Sequence, residues 1–190
     1  MNEMHQYMKE CAAEATRIAR GVRPEQLSEP SRCTDWDVRT LVNHWVLYSS
    51  HGLECRALRR PIPDELTKHD FTADPDWATA YAAQLEKAVA AWSDPAVWEG
   101  DIDSGFGVAP AAQMAALIVK EMAVHGWDVA AATGQPGPAV SAGAGAALLR
   151  VVEENAELYR QYDGFADPVE APADAPAFVR ALALSGRDPR

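Results

Sequence analysis

Apolar residues recur at helical spacing from Met4 onward and the run stops at Gly21, which predicts a first helix over 4–20. Thr34 followed three residues later by Asp37 has the form of a capping box, in which the hydroxyl satisfies a free amide and the carboxylate suits the positive helix end. The apolar face beyond it predicts a second helix over 36–60, broken by Pro61 and Pro63. Asp74 as a cap, with Pro75 in a first turn where a missing amide proton does no harm, predicts a third helix ending near Trp92. Trp98, Gly100, Gly105 and Gly107 crowd the stretch 94–108 with too many breakers for a helix; it reads as a structured connection, and no strand alternation stands out. A fourth helix is expected over 110–133, closed by Gly134 in the left-handed conformation, and a fifth over 141–162. Beyond that, Pro and Ala favour an extended path, with a short helix over 178–184. Four long amphipathic helices with connections of this size specify an all-α four-helix bundle over 1–162, carrying an additional C-terminal helix. The extended tail, 163–190, is expected to pack on its outside.

Composition narrows the function. A chain of 190 residues is one domain, at roughly 100 to 200 residues per domain. Its 17 Lys and Arg against 28 Asp and Glu leave a net charge of -11, which repels phosphate backbones and anionic headgroups, so neither nucleic acid nor membrane is an expected partner. No apolar run approaches the roughly 20 residues a bilayer requires, and the opening residues are polar rather than signal-like, so a soluble cytoplasmic protein is expected. Cys11, Cys33 and Cys55 are odd in number and form no CxxC, so reduced thiols are expected.

Four polar residues stand on apolar faces. On a wheel of the fourth helix, Glu121, His125 and Asp128 fall in the arc of Met114, Leu117 and Ile118, about 100° wide. Glu121 and His125, four apart, lie one above the other and can converge on a point. In the second helix His44 shares a face with Leu41, Trp45, Tyr48 and Cys55, with His51 at its margin. One His from one helix and a Glu–His pair from another make the ligand set of a catalytic zinc site with an open position, and nickel, iron or manganese would also accept it. Such spacing also occurs on ordinary helices, and the spacing alone leaves both readings open. A carboxylate buried without a cation is expensive, so Glu121→Gln is expected to leave the metal-free protein as stable as the parent or slightly more so. Cys33 reads as an inert loop thiol and Trp36, Trp45 and Trp127 as core aromatics; no serine-hydrolase elbow, P-loop or dinucleotide fingerprint is present.

CTDWDVRTLVNHW followed by KEMAVHGWDVAAATGQ resembles the metal-binding domain of the mycothiol-dependent maleylpyruvate isomerase family, within the DinB-like superfamily. The ending GFADPVEAPADAPAFVRALALSGRDP resembles the tail of an actinobacterial subgroup of that family. The resemblance implies a DinB-like bundle in which His44, Glu121 and His125 hold a divalent metal, zinc, and no catalytic residue acts beyond those ligands. Asp128 and His51 are the candidates for a supporting layer behind them. It further implies a low-molecular-weight thiol, mycothiol, as cofactor in S-transfer to, or isomerisation of, a small electrophile. The isomerase itself carries a further C-terminal domain for which 190 residues leave no room, so the thiol chemistry is implied more strongly than that one substrate. A metal-binding or stress-response bundle without turnover is the alternative, and a hydrolase would place water where the thiol binds. Whether the bundle forms a homodimer is left open.

Overall fold

A computed structural model describes residues 2–33, 35–105, 107–172 and 174–190. Helix α1 (Glu3–Gly21) is capped by Asn2, whose side chain accepts from the Met4 amide. The second helix begins with α2 (Val38–Val46) rather than at 36, because Asp37 is its cap and accepts from the Thr40 amide at 2.8 Å. The Thr34 half of the expected capping box lies outside the described residues.

One uninterrupted helix was expected to reach 60, but the run has three parts: α2, a π-helical segment (Leu47–Gly52) and α3 (Leu53–Ala57). The π turn leaves carbonyls in need of donors, and two buried serines supply them: Ser49 donates to Trp45 O at 2.5 Å and Ser50 to Val46 O at 2.7 Å. Ser49 also shares a 2.7 Å hydrogen bond with the Tyr81 hydroxyl, so this irregular stretch is satisfied inside the core.

The short α4 (Asp64–Thr67) follows, then α5 (Trp77–Ala91), where the expected cap Asp74 instead receives the Asp76 amide in the turn before the helix. The connection over 94–108 holds a 3-10 turn (Pro95–Trp98) and, contrary to the reading without strands, an antiparallel pair, β1 (Asp101–Asp103) and β2 (Val108–Pro110). Each strand is three residues long, too short for an alternation to show in sequence. Helix α6 (Ala111–Ala132) ends with Gly134 at φ +69°, as expected. Ser141 caps α7 (Ala142–Gln161), and α8 (Ala177–Leu184) closes the order.

The chain divides into two compact units, Met1–Ala139 and Val140–Arg190, so α7 groups with the C-terminal segment and the division precedes it rather than falling at 162. In the first unit α1 packs on α5 and α6, and the α2–α3 run packs on α6 and α5, which closes a ring of four helices. Met8, Ile18, Leu41, Trp45, Leu53, Leu85 and Met122 fill its interior. In the second unit α7 packs on α8, where Gly145 lets the backbones approach: a Cβ there would sit 3.2 Å from Phe178 N.

Candidate metal centre

Two contacts fix the register of α2 against α6. The indole of Trp45 donates to Met122 O at 2.9 Å, and the same ring lies against Gly126, where a Cβ would come within 3.3 Å of it. Trp45 and Met122 are the chain neighbours of His44 and Glu121, and Gly126 follows His125. Locking these pairs therefore turns His44 toward the Glu–His pair of α6.

His125 Nε2 stands 3.2 Å and His44 Nε2 3.6 Å from the same oxygen, Glu121 Oε2. Two donors bound to one zinc ion at 2.0 to 2.2 Å lie about 3.3–3.6 Å apart across a tetrahedral centre, close to the observed spacing. One ligand atom from each residue lies within 4.8 Å of the others. His44 Nε2 is buried and has no hydrogen-bond partner within the protein, which leaves its nitrogen available to a ligand in the space it faces. Two imidazoles, one carboxylate and an orphaned nitrogen fit a borderline divalent cation, with three protein donors and room for a fourth.

The charges around Glu121 are balanced within the protein. Lys120, which points inward and is 1% exposed, forms an ion pair with Glu121 Oε1. Burial pushes the Glu121 carboxyl up, but the Lys120 ammonium, the hydrogen bond from His125 and the nearby His44 imidazole outweigh it and hold the carboxyl well below its usual range. Burial likewise disfavours the charged form of His125. Hydrogen bonds to Asp128, Cys33 and Glu121 prevail and hold its imidazolium well above the usual histidine value. Sequence reading missed Lys120, although a lone lysine inside the apolar run from Met114 to Val124 was a visible signal.

Behind the cluster, the Asp128 carboxylate, 1% exposed, accepts from His125 Nδ1 at 2.9 Å. That bond keeps a proton on Nδ1 and aims Nε2 at Glu121, the support a ligating imidazole needs. Cys33 adds a bond from Sγ to Asp128 Oδ2 at 3.6 Å, so the loop thiol joins the cluster instead of standing apart from it. His51 is not brought there: it stacks on Phe71 with ring centres 5.3 Å apart. Trp36 and Tyr48 flank His44 with centroids at 5.0 and 4.7 Å, so Trp36 lines the site rather than the core.

Beside His44 opens a cleft of about 250 Å³, walled by Trp36, Thr40, Tyr48, His69 and Phe71. Its outer wall is held by polar residues that were not singled out in the sequence. Asn43 donates to Asp70 at 2.9 Å and accepts from the Phe71 amide at 2.7 Å, while Arg39 reaches Asp70 at 3.0 Å and Thr72 at 2.8 Å. Arg39 and Asn43 are four apart on α2, on the side from which the wall approaches.

Residues 8–130 match the family described as the mycothiol maleylpyruvate isomerase N-terminal domain. The chain belongs to that family. Membership places it among mycothiol-related, metal-binding DinB-like domains, and its helical ring with an additional C-terminal helix is the all-α fold expected for one. Two curated proteins from strains of Mycobacterium tuberculosis, both described as uncharacterized, are 26% identical over 173 residues, which span 89% of this chain and 89% of each relative. No solved structure matches significantly. Among the described residues, no helix is long and apolar enough to cross a membrane.

Proposed function

We propose that this family member is a thiol-dependent metalloenzyme in which His44, Glu121 and His125 hold a divalent ion, zinc, and a low-molecular-weight thiol, mycothiol, is added to a small electrophile. The observation that carries this reading is His44 Nε2, buried, without a hydrogen-bond partner and 3.6 Å from the oxygen that His125 also faces. Bound there, the ion supplies the positive charge that favours the thiolate of a coordinating thiol, the nucleophilic form.

The chain's own residues do the rest. Asp128 holds the Nδ1 proton of His125, so Nε2 presents its lone pair to the ion once its own proton has left. Lys120 neutralises Glu121 while the site holds no cation, and near a bound ion it adds a second positive charge that favours an anionic sulfur. Trp36, Tyr48 and Phe71 give the electrophile an aromatic cleft beside His44 and exclude water from it. The cleft supports a reaction over simple metal storage, since a storage site needs no substrate-sized space next to one ligand.

The test begins with metal analysis of protein purified without chelator, followed by consumption of mycothiol in the presence of a small electrophile. At least one equivalent of zinc is expected, with turnover abolished by chelator and by His44→Ala. Turnover that survives both treatments would refute the proposal.

A further inference from the structure

The imidazole of His125 has two faces, and the donors gathered on its Nδ1 side form a set of their own. Cys33 Sγ, Asp128 Oδ2 and the His125 ring each offer an atom within 4.8 Å of the others. Sγ lies 3.6 Å and Nδ1 2.9 Å from the one Asp128 oxygen. A zinc-sized ion with bonds of 2.0 to 2.3 Å separates such donors by about 3.3–3.7 Å, so the sulfur–oxygen spacing already fits and the nitrogen and oxygen need to part by about half an ångström. Cys11 and Cys55 are buried within helices and belong to neither set.

We propose that Cys33, Asp128 and Nδ1 of His125 form a second cation site, selective for thiophilic divalent ions, on the opposite side of the ring from Glu121 and His44. Its donor charges favour a divalent ion. A thiolate and a carboxylate together carry two negative charges, which neutralise such an ion where Asp128 is 1% exposed. Sulfur makes the set softer than the two-histidine, one-carboxylate set on the Nε2 side, which biases it toward zinc, cobalt or cadmium and away from magnesium or manganese.

Access is open. Cys33 sits on the rim of a broad cleft of about 540 Å³ formed by the loop that also carries Ser31, Arg32, Asp35 and Trp36, so an ion reaches the sulfur without crossing the first site. The S–H proton of Cys33 and the Nδ1 proton of His125 leave to solvent as the ion enters, and the ion takes over the hydrogen bonds those protons made to Asp128. With both ions bound the ring would have released both of its N–H protons to solvent and would bridge as an imidazolate, the second ion taking the place of the Nδ1 proton that otherwise orients it. This site does not depend on what reaction the first ion supports.

Cobalt(II) alone is the probe, because cobalt bound to a thiolate gives a ligand-to-metal charge-transfer absorption that nitrogen and oxygen ligands do not. Titration of the full-length protein is expected to show two equivalents bound, with the thiolate band growing on one of them. Cys33→Ser should lose the band and one equivalent while keeping the other, and its far-ultraviolet circular dichroism reports that it is folded. His44→Ala should lose the other equivalent and keep the band, so failure of the first site and failure of the second are read separately. The proposal is overturned by absence of a thiolate band in the parent protein. A band that persists in Cys33→Ser, or one that comes with a single equivalent and disappears in His44→Ala, overturns it equally.

Discussion

Replacing Glu121 by Gln in the metal-free protein tests the charge balance of the site, and the structure reverses the expectation drawn from sequence. A lone buried carboxylate would be relieved by the change. Glu121, however, is flanked by the Lys120 ammonium and by His125, whose imidazolium it favours together with Asp128 and Cys33. Glu121→Gln keeps the shape and removes the anion that faces Lys120, while His125 keeps Asp128. Breaking a buried ion pair on one side costs about 3–5 kcal/mol. The Glu121 side chain is 21% exposed against 2% for Lys120, which brings the expected loss down to about 2–3 kcal/mol. At about 2–4 °C per kcal/mol for a chain of this size, the midpoint should fall by about 4–12 °C.

The assay is thermal and urea unfolding in chelator, with a Lys120→Met, Glu121→Gln double variant completing a cycle. The double variant should recover part of the loss, because the buried ammonium is removed together with the carboxylate it faces, with a coupling of about 1–3 kcal/mol. Added zinc at a hundred times the dissociation constant of the first site should stabilise the parent protein by about 2.7 kcal/mol more than it stabilises Glu121→Gln. A metal-free Glu121→Gln protein as stable as its parent would refute the reasoning about Lys120. Equal zinc-dependent rises in both would remove Glu121 from the site.

Asp128→Asn retains bulk but weakens the grip on Nδ1 of His125; zinc affinity should drop about 10- to 100-fold by calorimetric titration, and an unchanged affinity would deny Asp128 its orienting role. Asp70 has its carboxyl lowered to about 2, first by hydrogen bonds from Thr72 and Asn43 and then by Arg39. Its stabilising contribution is therefore present above the ordinary value near 3.8 and lost as pH falls through about 2. Because the side chain is 45% exposed, Asp70→Asn should cost at most about 1 kcal/mol near neutrality, a gap that closes toward pH 2 in urea titrations. A gap independent of pH would show that the wall of the cleft does not rely on that charge. Cys33→Ser should keep its thiol-transfer turnover, since a hydroxyl donates to Asp128 as the thiol does; lost turnover with the first ion retained would make Cys33 itself a participant.

The three convergent residues could be read in advance because each requirement left a periodic trace. A carboxylate and a histidine on the apolar arc of α6, and a histidine on that of α2, contradict the rule that such faces are apolar. His51 was misplaced for a definable reason. Seven residues bring a uniform α-helix back almost to the starting direction, so the wheel set His51 near His44; the π segment intervenes and turns it to Phe71 instead. Nothing in LYSSHG announces a widened turn, because the serines that satisfy it read equally as ordinary helix residues. Lys120 escaped because charge on a helix is usually solvated, and Cys33 because its partner is 95 positions away.

The π segment also constrains how this chain can vary. It holds one residue more than a uniform helix would need, and the two ends of the run answer to different masters. His44 and Trp45 before it are registered to α6, while Leu53 O after it accepts from the indole of Trp92 at 3.0 Å. Deleting a single residue between Leu47 and Gly52 would return the run to a uniform helix with both ends kept, whereas adding one there would exceed what the widened turn absorbs and rotate one end by about 100° against the other. Either His44 would swing away from Glu121, or Leu53 and Cys55 would leave the interior. Insertions should therefore be absent from 47–52 in functional descendants of this chain and tolerated a few residues later, in the turn at 58–63 that holds Pro61 and Pro63.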